Sequence, residues 1–256
     1  MINSTECLMI KALVKGYRRK SGVFVRPHTR KNRMRRHPQR GDDGKPVTIE
    51  RPSTPSSPES WSDPDQVATF VPNGNAPNKL NGIAVTAWND APTTVAGWDF
   101  VDGINHDLDE PDMILPPGKR AAAGVIVVEK DGRVWLTSPT NQYGGYNNTF
   151  PKGTAEAGLS LQGNALKECF EESGLKVKIV GLLGDFERTT SVGRMYLAER
   201  VGGDPTDCGW ETQAMQLVPK GMLYRYLNMY PDWGIAEKIG AGPVPLDLSN
   251  HAFKKS

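Results

Sequence analysis

Three glutamates stand three and four residues apart in the second half of the sequence: Glu168, Glu171 and Glu172. The segment around them, residues 160–174, predicts a helix, because apolar residues recur at helical spacing and a glycine ends the pattern. Residues three and four apart are neighbours on a helix surface, so the three carboxylates share one face. Their mutual repulsion would be relieved by Mg²⁺ or Mn²⁺, since both cations prefer carboxylate oxygens. The alternative is an acidic face that is only solvated.

The residues on both sides of this helix carry a longer pattern. A glycine-bounded loop, residues 151–158, leads into the helix, and Gly174-Leu175 follows it. The stretch 153–175 resembles the Nudix box, G-x5-E-x7-R-E-U-x-E-E-x-G-U, in which U is a bulky apolar residue. The positions that match, without a gap, are Gly153, Glu168, Cys169, Glu171, Glu172, Gly174 and Leu175. This resemblance favours the metal-binding interpretation over the solvated face.

Two positions depart from the box. Leu159 stands where the family has its first glutamate, and Lys167 stands where it has arginine. In the family these two positions commonly form an ion pair that braces the loop against the helix, and lysine does not replace a bidentate arginine. We expect either that Glu156 supplies the missing carboxylate or that the brace is apolar.

The resemblance extends over roughly residues 118–240 and implies both a fold and a reaction. The fold is α/β, a Nudix-type α/β/α sandwich with a mixed sheet. The reaction is metal-dependent hydrolysis of a diphosphate (pyrophosphate) linkage in a nucleoside diphosphate joined to another group, such as ADP-ribose or a dinucleoside polyphosphate. The branch it resembles most is that of the diadenosine polyphosphate and diphosphoinositol polyphosphate hydrolases. The elements that carry this nearer likeness are Phe150-Pro151-Lys152-Gly153, Trp210-Glu211 and Leu217-Val218-Pro219.

The same resemblance suggests which residues form the site. The metal ligands expected from it are Gly153, through its carbonyl, with Glu168, Glu171 and Glu172. The general base is either one of these helix glutamates or Glu187, which follows a strand; the alternative for Glu187 is a salt bridge to a nearby arginine. Substrate-binding candidates are three cations that would contact phosphate and one tyrosine that would stack on a base: Arg120, Lys152, Arg194 and Tyr143. The alternative for these is an ordinary surface cation or a tyrosine packed on the sheet edge.

Charge and composition divide the rest of the chain. Residues 11–40 hold twelve Lys/Arg and no Asp or Glu. The rest of the chain therefore contains 19 of the 31 basic residues and all 29 acidic residues. We predict a basic N-terminal hairpin and arm followed by a Pro/Ser-rich linker, an irregular subdomain, the Nudix-like domain and a C-terminal tail. Their expected bounds are 1–40, 41–60, 61–117, 118–240 and 241–256. The hairpin itself is predicted at 8–29, other strands at 67–71, 83–88, 121–129, 133–138, 176–183 and 194–199, and helices at 94–102, 160–173, 221–228 and 232–239.

The sequence also limits the classes of protein to consider. It has no run of about 18 apolar residues that predicts a membrane span, and three widely spaced cysteines predict neither a disulfide framework nor a zinc site. A reducing, cytoplasmic compartment is therefore the expectation. Two other functions remain open: a Nudix-fold nucleotide-binding or sensor module without turnover, and an RNA 5′-end pyrophosphohydrolase that uses the basic arm to bind nucleic acid.

Overall fold

The computed structural model describes residues 35–242 and the backbone of four short strands between residues 11 and 31. It divides into two units, Met1–Arg35 and Arg36–Ser256, which are described separately. In the first unit, β1 (Lys11–Val14) pairs antiparallel with β4 (His28–Lys31), and β2 (Tyr17–Arg18) pairs with β3 (Phe24–Val25). Both pairs share one register and lie where the sequence predicts a hairpin. Residues 19–23, between β2 and β3, lie outside the described residues.

The second unit contains the remaining described strands and the helices. Its strands are β5 (Arg35–Arg40), β6 (Pro46–Ile49), β7 (Ala68–Phe70), β8 (Lys79–Leu80), β9 (Ile83–Ala84), β10 (Arg120–Val127), β11 (Arg133–Pro139), β12 (Lys152–Thr154), β13 (Leu175–Glu187), β14 (Ser191–Gly203) and β15 (Thr212–Pro219). Its α-helices are α1 (Leu161–Ser173), α2 (Leu223–Tyr226) and α3 (Tyr230–Lys238), and short 3-10 turns lie at Pro58–Trp61, Val95–Phe100, Thr140–Gly145 and Lys220–Met222.

A mixed four-stranded sheet lies at the centre of this unit. Its strand order is β12-β10-β14-β13, with β10 and β14 parallel and the other pairs antiparallel. Successive residues of β10 point to opposite faces. Val125 packs with Leu166 and Cys169 of α1, whereas Ile126 packs with Ile235 of α3. Helices on both faces of a mixed sheet confirm the predicted α/β/α sandwich, and a second sheet, β11-β15-β7, lies beside it.

The elements predicted between residues 118 and 240 largely agree with those observed. The predicted helix at 160–173 is α1, which begins after Ser160, whose Oγ accepts a hydrogen bond from the Gly163 backbone nitrogen. It ends at Gly174, which adopts the left-handed conformation, with φ of 69°, that favours glycine. The short strand β12 and the long strand β15 are additions that the sequence patterns did not predict.

The structure corrects the prediction that residues 41–60 form a polar linker. It contains β6, which pairs with β5, and the side chain of Ile49 is only 2% exposed. The amide oxygen of Gln213 in β15 accepts hydrogen bonds from the backbone nitrogens of Glu50 and Arg51. A polar composition is compatible with this position because the segment is held by backbone hydrogen bonds and one buried apolar side chain.

Two buried arginines attach residues 60–84 to the sheets. Arg133 of β11 donates to the backbone carbonyls of Ser60 and Trp61. Arg200 of β14 pairs with buried Glu129 and also donates to the carbonyl of Leu80. These contacts hold the irregular segment against the α/β core, and the domain bounds given above stay predictions.

Candidate active site

The three helix glutamates differ in their surroundings. Glu168 and Glu172 are partly buried against the loop that enters α1, whereas Glu171 is exposed and pairs with Lys167 at 2.7 Å. Within residues 35–242, no group of three His, Cys, Asp or Glu side chains lies close enough together to hold an ion by itself. The trio therefore does not form one closed cluster, and the two partly buried carboxylates define the candidate site.

Glu168 lies directly against the backbone of Gly153 in β12. A Cβ atom built on Gly153 would lie 2.0 Å from the carboxyl carbon of Glu168 and 2.2 Å from both of its oxygens. Only glycine leaves room for this approach, which explains the residue type at the first position of the box. Burial raises the pKa of Glu168 to about 7; Lys167 opposes this shift, and the carboxylates of Glu171 and Glu211 add to it.

Glu172 is held by the neighbouring residue of the same strand. Its Oε2 accepts a hydrogen bond of 3.2 Å from the backbone nitrogen of Lys152. Burial raises the pKa of Glu172, and the Lys152 ammonium opposes that effect. Glu168 and Glu172 are one turn apart on α1, and they contact Gly153 and Lys152, which are consecutive residues of β12. The strand and the helix together therefore position the two carboxylates.

Other contacts replace the ion pair between loop and helix that Leu159 cannot form. Lys167 Nζ pairs with Glu156 Oε1 at 2.7 Å, while Leu159 is buried in the core on the α1 side of the sheet. The side-chain oxygen of Asn164 also accepts a hydrogen bond of 3.0 Å from the backbone nitrogen of Glu156. Both expectations drawn from the sequence are therefore met, since Glu156 supplies the charge and Leu159 supplies an apolar contact.

A fourth carboxylate, Glu211, is a site residue that the sequence analysis did not assign. It precedes β15 and follows Gly209, whose backbone nitrogen donates to the Glu171 carbonyl at 2.9 Å, and its charge raises the pKa of both Glu168 and Glu172. Partial burial, followed by the charges of Asp42 and Glu171, raises the pKa of Glu211 itself. The Trp210-Glu211 element in the sequence was the signal that pointed to it.

The residues present fit a hard divalent cation. The donors are oxygens only, and Gly153 lets the Glu168 carboxylate lie against the strand. Burial, with neighbouring carboxylates adding to it, raises the pKa of both Glu168 and Glu172, and a bound cation would favour their charged forms. Magnesium commonly takes one or two carboxylates and completes its shell with water and substrate phosphate, which suits a site without a closed cage.

The four predicted substrate-binding residues have different environments. Tyr143 is 84% exposed in the loop before β12, where it is free to contact a ligand, and Arg120 is exposed at the start of β10. Lys152 lies beside Glu172, as described above. Arg194 is the candidate that the structure supports least, because its guanidinium is 3% exposed and is bound by Asp185 at 2.8 Å.

Glu187, the alternative general base, lies at the end of β13 and is 66% exposed. Its carboxylate pairs with Lys119 Nζ at 2.5 Å, a partner that the sequence analysis did not name for it. The next residue, Arg188, instead forms a salt bridge of 2.6 Å with Asp232 of α3. Glu187 is therefore neutralised locally, whereas Glu168 has no partner within salt-bridge distance among the described residues.

Residues 118–233 match the family model of the NUDIX domain. The chain carries a Nudix domain. Two proteins named RNA pyrophosphohydrolase, from two strains of Caulobacter vibrioides, are each 41% identical to this chain over 71 residues, which is 28% of this chain and 40% of theirs. The chain thus spans less than half the length of these relatives.

Solved structures with the same domain are also similar to it. A NUDIX hydrolase from Nitrosomonas europaea is 18% identical, with a TM-score of 0.42 over 51% of this chain and 95% of its own. An Ap4A hydrolase from C. elegans is 19% identical, with a TM-score of 0.40 over 48% of this chain and 96% of its own. Among the described residues, no helix of this chain has the length and apolar character that a membrane crossing needs.

Proposed function

We propose that this Nudix protein hydrolyses a diphosphate linkage in a nucleoside diphosphate joined to another group, such as ADP-ribose or a dinucleoside polyphosphate. The observation that supports it most is the placement of Glu168 and Glu172 against Gly153 and Lys152, inside the matched domain. Acidic oxygens beside a lysine suit a substrate that brings both a divalent cation and phosphate charge.

The residues of this chain would have the following roles in the hydrolysis. Glu168 and Glu172, together with Glu171 and the Gly153 carbonyl, would hold Mg²⁺ or Mn²⁺, which neutralises phosphate charge when bound. The oxygen of a water molecule bonds to one phosphorus, the bridging P–O bond breaks, and the proton of the water passes to a carboxylate. Glu168 suits that role better than Glu187, because it has no salt-bridge partner among the described residues whereas Glu187 is paired with Lys119.

A substrate panel tests this proposal. The full-length protein would be assayed with Mg²⁺ and with Mn²⁺ on ADP-ribose, diadenosine polyphosphates, nucleoside triphosphates and inositol pyrophosphates. We expect turnover of at least one compound that contains a substituted diphosphate, with products showing cleavage between two phosphorus atoms. Binding of a panel member without any turnover would instead favour the non-catalytic sensor module.

A second candidate substrate is the 5′ end of RNA. The 41% identity to proteins named RNA pyrophosphohydrolase favours it, as do the twelve basic residues between Lys11 and Arg40. A basic segment that neutralises phosphates gives affinity that falls as salt rises. Release of pyrophosphate from 5′-triphosphate RNA, compared with free nucleoside triphosphate over a salt series, would separate the two candidates.

A further inference from the structure

Beside the glutamate site lies a group of five polar residues that we call the Arg188 cluster: Tyr146, Thr149, Lys152, Arg188 and Asp232. Arg188 Nη2 pairs with Asp232 Oδ1 at 2.6 Å, and Arg188 Nη1 donates to the Tyr146 hydroxyl at 2.8 Å. The Thr149 hydroxyl donates to Asp232 Oδ2 at 2.7 Å and accepts from Lys152 Nζ at 3.0 Å. Lys152 and Arg188 approach the same Tyr146 ring, with Nζ 5.1 Å and Cζ 6.0 Å from its centroid.

The cluster holds two basic side chains, Lys152 and Arg188, and one carboxylate, Asp232. Asp232 is fully buried, and its two oxygens are taken by Arg188 and Thr149. Among the described residues no carboxylate lies within 4.0 Å of Lys152 Nζ, and Asp232 pairs with Arg188 alone. The Arg188 side chain is 8% exposed, yet its Nε is buried without a hydrogen-bond partner. Buried donors are rarely left unpaired, so this imbalance indicates a missing acceptor.

The cluster is also connected to the candidate metal site. The backbone nitrogen of Lys152 binds Glu172, while the ammonium of the same residue belongs to the Arg188 cluster. Tyr146 and Lys152 are only partly buried, which leaves a side from which a ligand can approach. An ion pair that served only to attach α3 to the sheet would account for Arg188 and Asp232 but not for Lys152.

We propose that the Arg188 cluster is an anion subsite that binds a phosphate group of the substrate next to the glutamate site. Arg188, Lys152 and the Tyr146 hydroxyl donate to the phosphate oxygens, and Asp232 is a positioning residue that fixes the guanidinium. This inference rests on the proposed diphosphate hydrolysis, because it assigns a second phosphate of the same substrate. Guanidinium and ammonium donors to a phosphate are charge-assisted hydrogen bonds, which are stronger than neutral ones.

The test uses binding of inorganic pyrophosphate to the full-length protein in EDTA, measured by calorimetry, so that neither metal nor turnover is needed. The principal variant is Arg188→Gln with Asp232→Asn, which removes both charges without leaving Asp232 buried and unpaired. The matched control is Arg225→Gln, at an exposed arginine of α2. We expect the double variant to bind pyrophosphate at least about tenfold more weakly, and the control to bind like the native protein.

Equal affinity in the double variant and the native protein would overturn the subsite. If the double variant does not fold, Arg188→Lys replaces it, because it keeps a cation beside Asp232 but loses the planar fork; undiminished binding in that variant would also overturn the proposal. For any substrate that the panel identifies, we expect KM to rise by a similar factor. If the variant hydrolyses the substrate with an unchanged KM, the subsite is refuted but the proposed function is not. If pyrophosphate binding depends on Arg188 but no panel member is hydrolysed, the proposed function is refuted but the subsite is not.

Discussion

The carboxylate of Glu168 lies against the α-carbon of Gly153, so closely that a single methyl group on that glycine would overlap it. This contact joins a helix residue to a strand residue fifteen positions earlier in the chain. It fixes where the carboxylate points before any ligand is bound. Glycine at this position is therefore a requirement of the site geometry and not of a turn, because Gly153 does not have the positive φ that marks glycines such as Gly158 and Gly174.

Replacing Gly153 by alanine is expected to reduce kcat by about a hundredfold or more, since displacing a catalytic group by about 1 Å has effects of that size. The melting temperature should change little if Glu168 swings towards solvent. The control is Gly234→Ala in α3, where nothing lies within 4 Å of the added methyl group. Full activity in Gly153→Ala would show that the placement of Glu168 is irrelevant to the reaction.

Replacing one glutamate at a time by the neutral glutamine distinguishes the contribution of the exposed Glu171 from that of the partly buried Glu172. Glu172→Gln and Glu171→Gln are each expected to lower kcat with Mg²⁺ by at least about a hundredfold, because a cation at the diphosphate contributes several kcal/mol. Binding of Mn²⁺, followed by electron paramagnetic resonance, should weaken more for Glu172→Gln, since Glu171 is half exposed and partnered by Lys167. Glu199→Gln, at an exposed position of β14, serves as the control. Native-like rates in both site variants would exclude this site.

The ion pair between Lys167 and Glu156 replaces the brace that is usual in the family. Although burial opposes it, the carboxylates of Glu156 and Glu171 raise the pKa of Lys167, so Lys167 stays protonated at neutral pH. A double-mutant cycle with Lys167→Met and Glu156→Gln should give a coupling of about 1 kcal/mol or less in urea unfolding, because the pair is partly exposed. We expect a larger effect on kcat than on stability, since the pair orders the loop that joins β12 to α1. The reverse ranking would assign the pair a purely structural role.

The hairpin formed by β5 and β6 should make stability depend on pH. Burial lowers the pKa of His37 below its ordinary value of 6.5, although the backbone of Gln39 and Cys208 opposes the shift. As pH falls below about 6.5, the unfolded chain binds a proton at this histidine before the folded protein does, so the free energy of unfolding decreases. Above that range both states are neutral and the effect disappears.

The melting temperature measured at about pH 8 and at about pH 5.5 checks this sign. The native protein is expected to lose more stability between these values than His37→Gln does. His106→Gln provides the comparison, because that histidine is exposed. An identical pH dependence in the native protein and in His37→Gln would contradict the assignment to His37.

The amino-acid sequence alone determined the elements whose signal is local. Helix α1, its ending at Gly174 and the shared face of Glu168 and Glu172 follow from spacing, because a helix brings residues three and four apart together wherever it lies. The match to the Nudix box from Gly153 to Leu175 is likewise contiguous. Strands β10, β11, β13 and β14 carried their own apolar patterns, so they too were predicted.

Tertiary structure decided what depends on residues distant in the chain. The contact of Gly153 with Glu168, the position of Glu211 beside the helix glutamates and the pairing of Arg188 with Asp232 join different elements, and residue spacing alone does not fix these contacts. The same reason explains the misassigned segment 41–60, whose strand is held by Gln213 far along the chain. Long-range packing selects among the many partners that a charged side chain accepts, and spacing in the sequence carries no record of that choice.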